Sequence, residues 1–142
     1  MSKGTFQKLD NSTERLFGPK ALVICGYGPA EHRPLLNALE QIGFGDRPLI
    51  FVNDKDTGKT LKEVLSAEDR SGLGVPSDLP RAMIMSGFTQ EEVHVLMSLY
   101  RQAELPPQLW ATLTPVSETW CLGALLTELT AEAEAVKKRD KD

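Results

Sequence analysis

Cysteine is scarce in this chain, and the two present, Cys25 and Cys121, have neither a CxxC spacing nor a histidine close in sequence. That excludes the disulfide framework that staples small secreted domains and argues against a thiolate metal site, leaving two reduced, buried thiols as the expectation. Long apolar runs are also missing. Nothing approaches the roughly 20 residues that cross a bilayer, and the opening MSKGTFQKLDNSTERLFG lacks the apolar core of a secretion signal. A cytoplasmic protein without a membrane partner is expected. Positive charge is short as well, with 16 Lys and Arg against 20 Asp and Glu and a net charge of −4, so nucleic acid is not expected as a partner. The only histidines, His32 and His94, have no second ligand at metal spacing, and neither a metal nor a cofactor is expected.

What the chain does have is 142 residues, 41% apolar and 25% charged, enough for one domain that buries roughly two-thirds of its unfolded surface. Residues 1–19 are polar and aperiodic apart from Phe6, Leu9, Leu16 and Phe17, and read as a flexible or loosely docked arm. A first unit spans 20–67. In it ALVICGY (21–27) is a buried strand ending in glycine, and Leu35, Leu36, Leu39 and Ile42 mark the apolar stripe of a helix that Gly43 and Gly45 stop. PLIFVN (48–53) is a second buried strand and TLKEVLSA a short helix.

A shift of 61 positions lays AMIMSGF (82–88) on ALVICGY without a gap, and it carries Leu35 onto Leu96, Leu39 onto Tyr100, PLIFVN onto LWATLT, and Leu61 and Leu65 onto Leu122 and Leu126. Coincident apolar positions, glycine turns and helix starts predict a second copy of the unit over 81–130. The Gly-, Ser- and Pro-rich EDRSGLGVPSDLP (68–80) then reads as a linker, and 131–142 as a charged C-terminal helix extension. Each strand-helix-strand piece is long enough for a right-handed crossover. The expected fold class is therefore α/β, a tandem βαβα repeat forming a small, mainly parallel four-stranded sheet flanked by helices.

Helix starts agree with this frame. Thr89 and Glu92 have the spacing of a capping box, with Phe88 and Val93 placed as a hydrophobic staple. Gly28 takes the cap position in the first unit with Pro29 as first helical residue, and Asp56 and Ser117 are the candidate caps before the two later helices. Pro34 lies too deep in the first long helix to be harmless and is expected to kink or delay it.

The second unit resembles a small bacterial family catalogued as domain-of-unknown-function family 3783. The likeness is carried by Ser86-Gly87-Phe88, Glu91-Glu92, and Thr114-Pro115 followed by Trp120 and Leu122, and it spans residues 81–129. The first unit, with Asn53-Asp54 for Thr114-Pro115 and Lys59 for Trp120, is similar to a diverged copy. The resemblance implies a bacterial α/β module and brings no activity with it.

Three motifs invite chemistry. FVNDKDTGKTLKE ends like a phosphate loop, yet Asn53 stands where a Walker loop needs glycine, Asp54 and Asp56 would oppose a polyphosphate, and the aligned TPVSETWC keeps none of the pattern. GYGPAE supplies two glycines of the dinucleotide fingerprint, but Glu31 fills the third place, so Gly26 and Gly87 read as tight strand-to-helix turns. Cys25 with either histidine lacks a nameable oxyanion donor. The expectation is a non-catalytic protein that binds a partner protein or small ligand at the carboxyl ends of its strands, where open α/β sheets place ligands. The candidate residues are Gly26, Tyr27, Gly87, Phe88, Asn53, Lys59, Thr60, Thr114, Ser117 and Trp120, the last three as a small-anion or peptide pocket. Two alternatives stand beside it: nucleotide or phosphate binding through Lys59 and Thr60, and a structural or assembly module that forms a homodimer.

Overall fold

Residues 14–141 are described by a computed structural model of the chain. The elements run β1 (Ala21–Cys25), α1 (Pro29–Gln41), β2 (Leu49–Val52), α2 (Leu61–Val64), β3 (Ala82–Ser86), α3 (Gln90–Gln102), β4 (Leu109–Thr112) and α4 (Leu122–Lys141). Every residue of β1, β2 and β3 is buried, as continuous apolar runs become when helices cover both faces of a sheet. The four strands form one α/β sheet in the order β2-β1-β3-β4, parallel within each strand-helix-strand pair and antiparallel where β1 meets β3.

Strand alternation sorts the core into two layers. Val23, Ile50 and Ile84 face Leu61 and Val64 of α2 and Leu122, Leu125 and Leu126 of α4. Leu22, Ile24, Leu49, Phe51, Met83 and Met85 face Leu36 and Leu39 of α1 and Leu96 and Tyr100 of α3. Each fully buried aliphatic side chain contributes about 1.5–3 kcal/mol. No helix among the described residues is long and apolar enough to cross a membrane.

Local expectations are met unevenly. Thr89 and Glu92 form the capping box of α3, with Glu92 N–H donating to Thr89 Oγ1 (3.0 Å) and Thr89 N–H to Glu92 Oε1 (2.9 Å). Pro34 does not delay α1, which starts at Pro29 and runs through to Gln41. The carbonyl that Pro34 leaves without a helical donor belongs to Ala30, an exposed residue. The later helices begin beyond the caps expected for them. Asp56 and Ser117 instead close three-residue turns by accepting from Asn53 N–H and Thr114 N–H, each at 3.0 Å, and α2 is capped by Thr60 with Glu63.

Of the arm expected over 1–19, residues 1–13 lie outside the described residues. The rest is bonded to the end of β3: Leu16 N–H donates to the Phe88 carbonyl (2.7 Å) and Gly87 N–H to the Phe17 carbonyl (3.1 Å). The segment after α2 runs along the outer edge of β2. There Phe51 N–H donates to the Ser71 carbonyl, Arg70 N–H to the Leu49 carbonyl, and Leu49 N–H to Asp69 Oδ1, all at 2.8–2.9 Å.

Positions 61 apart play reciprocal parts across the β1–β3 junction. Val23 pairs with Ile84, Ala21 with Ser86 and Cys25 with Ala82. On the α2/α4 face Leu61 N–H donates to the Trp120 carbonyl (2.9 Å) while Leu122 N–H donates to the Lys59 carbonyl (2.8 Å), around an antiparallel bridge between Thr60 and Cys121. Gly26 faces the backbone of Leu79, Pro80 and Arg81, and Gly87 that of Gly18, Pro19 and Lys20.

Candidate functional site

The antiparallel junction divides the candidate residues. Gly26, Tyr27 and Asn53 follow β1 and β2 at one end of the sheet, whereas Gly87, Phe88 and Thr114 follow β3 and β4 at the other. From those ends the chain returns along the α2/α4 face, where Thr60 bridges to Cys121 and Leu61 N–H reaches the Trp120 carbonyl.

The amides of Lys59 and Thr60, and that of Leu61 after them, are already engaged. Lys59 N–H donates to the Asp56 carbonyl, Thr60 N–H to Glu63 Oε1, and Leu61 N–H to the Trp120 carbonyl. The Lys59 ammonium lies 2.9 Å from Asp56 Oδ1, and that carboxylate keeps the ammonium protonated beyond its ordinary range. Asn53 Oδ1 accepts from Lys55 N–H (2.9 Å). Thr114 and Ser117 bond each other, while Trp120, 36% exposed, stands clear of the core. Trp110 is the tryptophan that packs, edge-on to Tyr100 with ring centroids 5.4 Å apart.

At each strand-pair end the aromatic after the glycine meets a cation and a glutamate from the helix start. Arg81 stacks over the Tyr27 ring at 4.3 Å, its Nη2 lies 2.9 Å from Glu31 Oε2, and Tyr27 Oη donates to Gln108 Oε1 (2.6 Å). Burial pushes the Tyr27 phenol up, so it stays a donor. At the other end Arg47 lies over both the Phe44 and Phe88 rings, at 4.5 and 4.7 Å, donating to Glu92 Oε2 and Asp46 Oδ1, both at 2.9 Å. Hydrogen bonds from Arg81 hold Glu31, and from Arg47 hold Glu92, below the usual carboxylate range. Sequence reasoning missed Arg81, Gln108, Arg47 and the partnering role of both glutamates. The available signal was that Arg47 and Gln108 share the 61-residue spacing, as do Glu31 and Glu92.

The two ends differ in openness. Arg47 is 2% exposed and fills its end. At the Tyr27 end a cleft of about 330 Å³ lies against Tyr27, Glu31, Leu35, Ala38, Arg81 and Leu105. It continues, past Leu35, Ala38 and Leu105, into an apolar groove of about 220 Å³ between α1 and α3 with Met83 in its lining.

Cys25 lacks the surroundings of a nucleophile. Cys25 belongs to the α2/α4 layer and burial pushes its thiol up to about 12. His32 lies in the opposite layer, stacked on Phe51, accepting from Gly74 N–H at Nδ1 and donating through Nε2 to the Tyr27 carbonyl. Cys121 is exposed, contrary to expectation, because the Thr60–Cys121 bridge lies at the surface. The native protein is expected to take up one equivalent of a thiol reagent such as Ellman's reagent, at Cys121, and two after denaturation; two fast equivalents in the native state would contradict the burial of Cys25.

Among the described residues no group of three or more His, Cys, Asp or Glu is placed to hold a metal ion. No curated protein and no solved structure matches the chain. Residues 81–136, from the start of β3 into α4, match the family model described as Domain of unknown function (DUF3783).

Proposed function

We propose that the chain is a cytoplasmic, non-catalytic bacterial module built from two copies of one βαβα unit, the first half diverged from the second, and that it binds a partner protein or small ligand at the carboxyl end of β1. The observation that carries the binding reading is the Tyr27 cleft. It combines an apolar wall of Leu35, Ala38 and Leu105 with an orienting set of Tyr27, Arg81 and Glu31, the few-polar, mostly apolar composition of ligand sites. Arg81 is already balanced by Glu31, so a polyphosphate finds no uncompensated cation there. An elongated apolar group with a hydrogen-bonding or singly charged head suits the cleft and the groove beyond it.

The duplication is supported by the reciprocal bonds between Lys59–Leu61 and Trp120–Leu122 and by the matched approaches to Gly26 and Gly87. Such a chain contains its own two-fold partner, as an isologous dimer of single units would.

The binding reading is tested by titrating octanoate into ¹⁵N-labelled protein. Amide shifts are expected at Tyr27, Leu35, Arg81 and Leu105, with affinity weakened about tenfold or more in Arg81→Ala, in keeping with the loss of one hydrogen bond to a charged head. Shifts confined to other surfaces, or none at millimolar ligand, would remove it.

A further inference from the structure

The outer edges of the two strand pairs are treated differently, on a surface separate from the Tyr27 cleft. On β2, residues 69–72 occupy the edge: Asp69 Oδ1 accepts from Leu49 N–H, Arg70 N–H donates to the Leu49 carbonyl, and the Ser71 carbonyl accepts from Phe51 N–H. Gly72 then passes so close that a Cβ there would lie 1.9 Å from the Phe51 carbonyl oxygen. The chain therefore covers the edge as a run of tight turns, with Ser71 N–H donating to the Glu68 carbonyl and Leu73 N–H to the Arg70 carbonyl, and it has glycine at 72 because nothing larger fits.

On β4, Leu109 N–H and Leu113 N–H donate inward to β3, to the carbonyls of Arg81 and Met85. Alternation turns Trp110 N–H, the Trp110 carbonyl and Thr112 N–H outward. These are the positions 61 beyond Leu49 and Phe51. Among the described residues none of the three has a backbone partner. The residues of β4 are only partly buried, and LWAT carries no charge to repel a further strand.

We infer that the outer edge of β4 docks a turn-forming segment of a partner protein with the chemistry of residues 69–72. That segment presents an acidic side chain to Trp110 N–H, a backbone N–H to the Trp110 carbonyl and a carbonyl to Thr112 N–H, followed by glycine. It covers the edge as a loop held by backbone bonds, one of the ways proteins protect an exposed strand edge.

The test uses the full-length chain and a synthetic peptide with the sequence of residues 67–75, AEDRSGLGV. In the free protein the amides of Trp110 and Thr112 are expected to exchange quickly and those of Leu49 and Phe51 slowly. Added peptide should shift and protect Trp110 and Thr112. Peptides with Asp69→Ala or Gly72→Val should bind at least about fivefold more weakly, the first through one lost charge-assisted bond and the second through the steric block. In the protein, Thr112→Pro removes one outward N–H at a position where edge strands tolerate proline, and should weaken the unmodified peptide by a similar factor. Slow exchange of Trp110 and Thr112 in the free chain, peptide contacts elsewhere, or indifference to both peptide substitutions would overturn the inference, whether or not the proline variant folds.

Discussion

Gly26→Ala is expected to destabilise the protein by about 2–5 kcal/mol, and Gly87→Ala by slightly less. Two costs add at each site. Both glycines have positive φ, +80° and +66°, which costs an L-residue roughly 1–2 kcal/mol. The new Cβ would also lie 2.5 Å from the Leu79 carbonyl oxygen at Gly26 and 2.7 Å from the Gly18 carbonyl oxygen at Gly87. Those neighbours are backbone leading into β3 and β1, so relief means moving a central strand, at about 1–3 kcal/mol more. Gly43 supplies the control, since its φ is +90° but a Cβ there meets nothing within 4 Å. Gly43→Ala should therefore cost only about 1–2 kcal/mol. Urea unfolding followed by tryptophan fluorescence measures all three. Equal losses at Gly26 and Gly43 would show that the close approach of the incoming strand costs nothing.

Why some of this was legible in the sequence follows from what controls each feature. Strand and helix positions were readable because burial on both faces demands continuous apolar runs such as ALVIC and AMIMS, and because Thr89 and Glu92 carry their capping chemistry locally. The antiparallel β1–β3 junction was not readable. Nothing in either strand specifies which neighbour it takes, and that junction sends Tyr27 and Phe88 to opposite ends of the sheet. The partners of the Gly58-Lys59-Thr60 stretch were hidden for a related reason. Lys59 N–H goes to the Asp56 carbonyl and Thr60 N–H to Glu63, but the next amide, of Leu61, goes to the carbonyl of Trp120, far along the chain. Arg47, Arg81 and Gln108 precede strands in stretches that look like solvated loop. Only the fold lays Arg47 on the Phe44 and Phe88 rings and Arg81 on that of Tyr27.

Glu92→Ala is expected to cost about 3 kcal/mol or more, because a single carboxylate serves two structures. Its Oε1 accepts from Thr89 N–H to cap α3, and its Oε2 accepts from the guanidinium of Arg47, whose side chain is 1% exposed. Removing one partner of a buried pair leaves an uncompensated charge, at about 3–5 kcal/mol, and the remaining bond from Arg47 to Asp46 places the loss toward the lower end. Glu31, bonded to Gly28 N–H and Arg81 in the same way, is half exposed, so Glu31→Ala should cost only about 1 kcal/mol. Glu92→Gln separates the two duties, since glutamine still caps a helix start but carries no charge for Arg47. Its effect depends on pH with a definite sign. The carboxyl of Glu92 lies below its ordinary value of 4.5 in the folded protein, chiefly through the bond from Arg47, so its stabilisation is complete above about 4.5 and is lost as pH falls through the lower, folded-state value. The gap in urea midpoint between the wild type and Glu92→Gln should thus be full near neutrality and close on acidification below 4.5, where the wild-type carboxyl also becomes neutral. A gap that holds its size down to pH 3 would mean that Arg47 is stabilised by its aromatic neighbours and Asp46 alone.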